Sequence, residues 1–149
     1  MIAALSGCDN GLQPPTIEEE VQPTGAIEGT ITYSGEWPSE DSLRQAYFVP
    51  LDFIPDSASA IVSRFIAGNL ITSEQLERYV DSDTFFVGEL PNGAYIYNAI
   101  ANQFGPNIFS DWHALGVYTE NDGVIIVQGD TTEISIHVDF DNLPPFPPE

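Results

Sequence analysis

The stretch VIIVQGDTTEISIHVDF, residues 124–140, decides the fold class. From Ile134 to Phe140 every second side chain is apolar, and the side chains between them are polar. A period of two is typical of a strand that has one face in a core and the other in water. Gly129 and Asp130 interrupt the apolar pattern with turn residues. The stretch therefore predicts two strands joined by a turn.

The same pattern recurs along the chain. GAIEGTITYSG, residues 25–35, alternates in the same way and predicts a first strand. FFVGELPNGAYIYNAIA, residues 85–101, has two apolar runs around Pro91-Asn92-Gly93, which predicts a hairpin. Shorter runs near residues 43–53 and 113–119 predict further strands. About seven short strands separated by turns predict an all-β fold, an antiparallel β-sandwich.

Residues 56–80 interrupt this pattern. Ile61, Phe65 and Ile66 recur at helical spacing after a cap at Asp56 or Ser57. A second helical turn is expected from Ser73, where apolar residues again share one face. The segment predicts a short helical insertion between strands.

Three of these stretches together contain a characteristic set of glycine, proline, apolar and threonine residues. The set comprises Gly25, Ile27 and Gly29 in the first strand, Phe85 or Phe86, Leu90, Pro91, Gly93 and Tyr95 in the middle, and Gly129 and Thr132 near the end. The pattern resembles the carboxypeptidase regulatory-like, or transthyretin-like (prealbumin-like), β-sandwich domains of secreted and surface proteins of Bacteroidetes and related bacteria. The resemblance covers about residues 25–53 and 83–140. It implies a folding, spacing or binding module, with no catalytic residues to transfer.

The N-terminal segment contains the only cysteine, Cys8, in the sequence LSGC. These four residues resemble the lipobox of bacterial lipoproteins, in which the cysteine is lipidated. We therefore expect residues 1–7 to be the remnant of a signal peptide and residues 8–24, rich in Pro, Gly, Gln and Glu, to be a disordered tether. The globular domain is expected at residues 25–142, followed by a proline-rich tail at 143–149.

The charge balance restricts the partners. The chain has 23 Asp and Glu against three arginines and no lysine, for a formal net charge of -20. Affinity for a phosphate backbone depends on clustered Lys and Arg, so nucleic acid is excluded as a partner. Adsorption to anionic lipid is disfavoured for the same reason. Membrane association is expected through the lipid anchor alone.

Motifs that organise a catalytic site are missing from the sequence. It contains no G-x-S-x-G, H-E-x-x-H, C-x-x-C or phosphate-loop pattern. We therefore predict that the protein is not an enzyme. The alternative is an envelope enzyme that acts on glycan through paired carboxylates, which requires two acids in one concave pocket, at least one with a raised pKa.

The segment NQFGPNIFSDWHALG, residues 102–116, is a candidate ligand-binding loop. It combines aromatic rings with amide and carboxylate groups in a connection too long for a tight hairpin. The candidate residues are Phe104, Asn107, Phe109, Asp111 and Trp112. They predict a platform for a sugar or a peptide. The alternative is that the rings close one end of the sandwich.

Acidic residues in two predicted turns suggest a calcium site. Glu120 and Asp122 lie in TENDG, and Asp139 and Asp141 lie in VDFDN. Calcium prefers such oxygen ligands, although neither stretch has EF-hand spacing. The alternative is that these residues form turns and are solvated. No other cofactor is predicted.

Together these features predict a function at the bacterial cell envelope. We expect a non-catalytic, lipid-anchored, extracytoplasmic β-sandwich module that takes part in binding or assembly. A glycan or an envelope protein is the expected partner. The alternatives are the glycan-directed envelope enzyme and a calcium-stabilised adhesion module.

Overall fold

The computed structural model describes residues 23–148, which form eight strands and one α-helix. The strands are β1 (Thr24–Ser34), β2 (Gln45–Leu51), β3 (Ser82–Pro91), β4 (Gly93–Tyr95), β5 (Tyr97–Gln103), β6 (Trp112–Val117), β7 (Ile125–Val127) and β8 (Thr131–Asp139). Helix α1 spans Ala58–Ile66, and short 3-10 turns lie at Glu40–Ser42 and Glu120–Gly123. The all-β prediction is confirmed.

The first sheet has the strand order β3-β1-β8. β1 pairs antiparallel with β3, but it pairs parallel with β8, so that Ile27 lies opposite Thr132 and Tyr33 opposite Val138. The prediction of purely antiparallel pairing is therefore wrong for this pair. A parallel pair needs a long crossover connection, and here nearly the whole domain lies between the first and last strands. The predicted alternation of β8 is confirmed, with Ile134, Ile136 and Val138 buried.

The second sheet has the order β2-β5-β6 and is antiparallel throughout, while β4 and β7 form a separate antiparallel pair. The predicted hairpin around Pro91-Asn92-Gly93 is wrong, because β3 pairs with β1 and not with β4 or β5. This turn passes the chain from the first sheet to the β4-β7 pair. The Asn92 N–H donates to the carbonyl of Pro23, and its side-chain oxygen accepts from the Gly129 N–H.

The main core lies where the two three-stranded sheets meet. Its buried apolar side chains come from both sheets and include Ile27, Ile31, Phe85, Val87, Ile134, Ile136 and Val138 from the first, and Ala46, Phe48, Ile100 and Leu115 from the second. The rings of Phe48 and Phe85 stack across the interface with centroids 4.2 Å apart. Burial of this apolar surface is the main stabilising contribution to the fold.

Two glycines in β1 mark places where neighbouring groups approach the backbone closely. A Cβ at Gly25 would lie 2.7 Å from the carbonyl oxygen of Asp130, and one at Gly29 would lie 2.6 Å from Cε2 of the Phe85 ring. Distances below 3.0 Å leave no room for a methyl group. The first-strand pattern G-x-I-x-G is therefore explained by packing.

The helical insertion is shorter than predicted. Within residues 56–80, α1 is the only helical segment, and no helical turn begins at Ser73. Instead, the Ser73 hydroxyl accepts from the Phe48 N–H at 2.9 Å, and the N–H groups of Ser73 and Leu76 donate to carbonyls of β2. These bonds hold the segment along the outer edge of β2. Pairing with that edge satisfies backbone groups that a helical turn would leave exposed on β2.

Candidate ligand-binding site

The central strand of the second sheet is buried on both faces. Asn98, Ile100 and Asn102 alternate along β5 with Tyr97 and Ala99, and all five residues are buried. A sheet with one solvated face would expose every second residue of its central strand. The outer face of this sheet, which carries Tyr97 and Ala99 and points away from the main core, must therefore be covered.

Neighbouring strands extend this apolar outer face. β2 contributes Tyr47, Val49 and Leu51, and β6 contributes Ala114. Ala101 of β5 lies opposite both Tyr47 and Ala114 in the strand register. Small alanine side chains in the middle of the face leave space between the larger residues around them.

Helix α1 covers part of this face. Ser57 caps the helix, since its hydroxyl accepts from the Ala60 N–H at 3.3 Å. Gly68, with φ of 79°, ends the helical segment in a conformation that favours glycine. Ile61 of the helix and Phe146 of the C-terminal tail pack against the sheet. The proline-rich tail thus returns to the domain after β8.

A pocket of about 440 Å³ remains between the sheet, α1 and the tail. Its floor is the apolar outer face, and its walls include Ala58, Ile61, Val62 and Leu70. The mouth is framed by Phe65, Ile66 and Ile108, which are 62%, 65% and 51% exposed. Ligand pockets typically measure about 300–1,000 Å³ and are lined mainly by apolar groups. The size and lining of this pocket meet both criteria.

Few polar groups line the pocket. Tyr97 is 6% exposed, and its hydroxyl has no hydrogen-bond partner within residues 23–148. Burial raises the pKa of Tyr97 to about 12, so the hydroxyl stays protonated at neutral pH. Burial also lowers the pKa of His113, whose Nε2 lies 3.0 Å from the amide nitrogen of Asn102. Of the described residues, no Asp, Glu, Lys or Arg lines the pocket, so the lining that residues 23–148 provide is uncharged at neutral pH.

The predicted aromatic loop contributes one of its five candidate residues to this pocket. Trp112 lines the pocket, and its indole N–H donates to the Ile108 carbonyl. Phe104 packs on His113 outside the pocket, with ring centroids 4.9 Å apart, and Phe109 is 54% exposed.

Asn107 and Asp111 shape that loop. The Asp111 carboxylate accepts from the Asn107 N–H at 3.0 Å, and the Asn107 side-chain oxygen accepts from the Phe109 N–H at 2.9 Å. These local bonds are typical of Asn and Asp in turns. The five residues therefore do not form one platform.

Of the four acidic residues considered for calcium, Glu120 and Asp122 lie in the 3-10 turn at Glu120–Gly123, Asp139 ends β8, and Asp141 lies in the turn after it. Asn121 has a φ of 52° and Asp122 a φ of 56°, so both adopt the left-handed region. Asp and Asn tolerate this region better than most residues. The Asp139 carboxylate accepts from the N–H of Asp141 at 3.0 Å. Within residues 23–148, no three His, Cys, Asp or Glu side chains are grouped so that they could hold a metal ion. A calcium ion at any of these four acidic residues would need Asn or backbone oxygens as further ligands.

One close pair of carboxyl groups lies on the outer face of the first sheet. Glu28 of β1 is opposite Glu133 of β8, in a surface depression that Glu120 also lines. A hydrogen bond to Glu133, with smaller contributions from desolvation and charge repulsion, raises the pKa of Glu28. Glycosidases separate their two carboxyl groups by about 5–10 Å to admit the sugar. Carboxyl groups within hydrogen-bonding reach do not match that geometry.

The sequence interpretation missed the pocket itself. The usable signal was β5, where Tyr97, Ala99 and Ala101 form one apolar face of the strand. Cys8, the expected lipidation site, and residues 1–7 lie outside the described residues, as does most of the expected tether.

The chain matches no known protein-family model, and no curated protein or solved structure is significantly similar to it. Across residues 23–148, no helix has the length and apolar character needed to span a membrane.

Proposed function

We propose that this protein is a non-catalytic binding module of the bacterial cell envelope that holds an apolar small molecule in the pocket beneath α1. The observation that carries the proposal is the 440 Å³ pocket, whose floor is an apolar sheet face and whose mouth exposes Phe65, Ile66 and Ile108. Exposed apolar groups around a concave opening mark ligand or partner sites.

The proposal includes a transthyretin-like β-sandwich as the scaffold. Two three-stranded sheets that share one apolar core support this architecture. The close packing at Gly25 and Gly29 supports the first-strand motif on which the resemblance depends. In this scaffold the second sheet has one face in the core and presents the other to the ligand.

The proposal also includes attachment to the membrane through a lipid on Cys8. The LSGC sequence and the polar, proline-containing segment after it support this assignment. Mass spectrometry of the chain expressed behind a complete lipoprotein signal sequence would test it. We expect a diacylglycerol or triacyl mass on the peptide that begins at Cys8 and none in Cys8→Ala, and an unmodified wild-type peptide would contradict the assignment.

Fluorescence titration with N-phenyl-1-naphthylamine, an uncharged apolar probe, tests pocket binding in the full chain. The test variant is Ala101→Phe, which places a ring on the pocket floor. The matched control is Ala94→Phe, which adds the same ring at an exposed position of β4. We expect saturable binding to the wild type and the control, and binding at least about tenfold weaker in Ala101→Phe.

Thermal unfolding of both variants must accompany the titration, to show that each is folded. Absence of saturable binding to the wild type would contradict the proposal. Equal binding to a folded Ala101→Phe would contradict it as well, because the probe would then sit elsewhere.

A further inference from the structure

We propose that the pocket selects an uncharged ligand with an apolar chain and a carbonyl oxygen, and that the Tyr97 hydroxyl donates a hydrogen bond to that oxygen. The inference rests on the proposed function, because it specifies the ligand class for the same pocket. Two independent features of residues 23–148 carry it: a buried donor without a partner among them, and a pocket lining to which they contribute no charged side chain.

The first feature is the Tyr97 hydroxyl. Tyr97 lines the pocket and is 6% exposed, yet its hydroxyl makes no hydrogen bond to any of the described residues. A buried hydroxyl without a partner costs free energy that an acceptor can recover. Because the hydroxyl oxygen is itself buried, a neighbouring side chain must shift for a ligand oxygen to reach it. The neighbouring tyrosine of the pocket differs, because the Tyr47 hydroxyl donates to Gln45 at 2.7 Å. Tyr97 is thus the lining hydroxyl that needs an acceptor.

The second feature is the charge around the pocket. Among residues 23–148, no Asp, Glu, Lys or Arg lines it, and burial lowers the pKa of the lining His113, which is therefore neutral at neutral pH. Arg64, at the end of α1, pairs with Asp52 at 3.4 Å and packs over Phe53. Arg78 donates to the Leu43 carbonyl at 2.7 Å. A carboxylate or phosphate in the pocket would therefore lack a counter-charge. With a net charge of -20, the protein as a whole also repels anions.

The two features together favour an ester, amide or ketone with an apolar chain over a free fatty acid. A carbonyl oxygen is a good acceptor for a phenol O–H and carries no net charge. The alanines of the pocket floor, Ala99, Ala101 and Ala114, leave space for the chain. Chemically, methyl laurate, laurate and tridecane form a matched set: an ester, a charged acid and a hydrocarbon with no acceptor.

Competition against bound N-phenyl-1-naphthylamine tests the inference in the full chain, with wild type, Tyr97→Phe and the control Tyr118→Phe. Tyr118 packs against the main core and does not line the pocket. For the wild type we expect methyl laurate to compete at least about tenfold more strongly than laurate. In Tyr97→Phe we expect methyl laurate to bind about three- to tenfold more weakly, while tridecane is unaffected. Tyr118→Phe should behave as the wild type.

The outcomes separate the inference from the proposed function. If the probe binds but laurate competes as strongly as methyl laurate, the pocket does not favour uncharged ligands over charged ones, and the inference fails. If Tyr97→Phe weakens binding of the ester and of the hydrocarbon equally, or weakens the binding of neither, the hydroxyl is not the donor and the inference also fails. In both cases the pocket still binds apolar molecules. If the probe does not bind the wild type at all, the proposed function fails and the inference fails with it.

Discussion

Glu28 on β1 and Glu133 on β8 lie opposite each other in the parallel pair, with their carboxyl groups within hydrogen-bonding reach. In the protonated form, the Glu28 O–H donates to the Glu133 carboxylate, which raises the pKa of Glu28. Because the pKa is higher in the folded state than in the unfolded state, protonation stabilises the fold. This contribution is fully present below the ordinary pKa of 4.5 and is lost as the pH rises through the raised value.

The first prediction follows from this pair. At about pH 7 both carboxylates are charged and repel, so Glu28→Gln is expected to raise the thermal midpoint of unfolding. The gain should shrink as the pH falls to about 4, where the wild type regains its own proton. Glu36→Gln removes the same charge from an exposed glutamate outside the pair and serves as the control. An equal, pH-independent gain in both variants would show that the effect is only a reduction of net charge.

A second prediction concerns the close approach of Phe85 to Gly29. Gly29→Ala is expected to lower the free energy of unfolding by about 1–3 kcal/mol, because the Phe85 ring is held by its stack on Phe48 and cannot move freely. Chemical denaturation measures the loss. In the double variant with Phe85→Leu, the loss should be smaller than the sum of the two single losses. Strict additivity would contradict the proposed contact.

A third prediction tests the segment that lies along β2. Ser73→Ala removes the hydroxyl that accepts from the Phe48 N–H and donates to the Glu74 carbonyl. Since Ser73 is buried, the expected loss in the free energy of unfolding is about 1–3 kcal/mol. The matched control, Ser135→Ala on the exposed face of β8, should change it by less than about 0.5 kcal/mol. Equal effects of the two variants would mean that the Ser73 bonds contribute nothing.

A fourth prediction concerns calcium. Asp122 and Asn121 adopt the left-handed backbone of a tight turn, and the Asn98 side chain fixes that turn by donating to the Gly123 carbonyl at 2.9 Å. We expect millimolar calcium and magnesium at matched ionic strength to give the same thermal midpoint. A midpoint raised by calcium alone would contradict this expectation, since a site filled at 100 times its dissociation constant adds about 2.7 kcal/mol.

The sequence predicted those parts of the fold that local patterning controls. Alternation from Ile134 to Val138 identified β8 and its buried face, and the cap predicted at Asp56 or Ser57 identified the start of α1, where Ser57 is the residue that caps. The parallel pairing of β8 with β1 could not be predicted from either strand, because pairing depends on where the intervening chain returns. The turn at Pro91 has hairpin chemistry, yet the strands before and after it belong to different sheets.

The missed parts depend on tertiary contacts. Ser73 begins a pattern that suits a helix, but hydrogen bonds to the edge of β2 hold it in an extended segment. Trp112 was predicted in an aromatic loop and instead begins β6, and its place in the pocket depends on α1 and on Phe146 packing over the same sheet face. The apolar character of Tyr97 and Ala99 was visible in the sequence, whereas the space above them was not.

Methyl chemical shifts measured by NMR during titration with methyl laurate test the central claim most directly. We expect the methyl groups of Val49, Ala99 and Ala114, which line the pocket, to shift and saturate together. The chemical shifts of the methyl groups of Val127 and Val138, which are buried in the main core, should not change. Saturating shifts confined to the first group would support an apolar ligand site beneath α1. No shifts, or shifts spread equally over both groups, would contradict it.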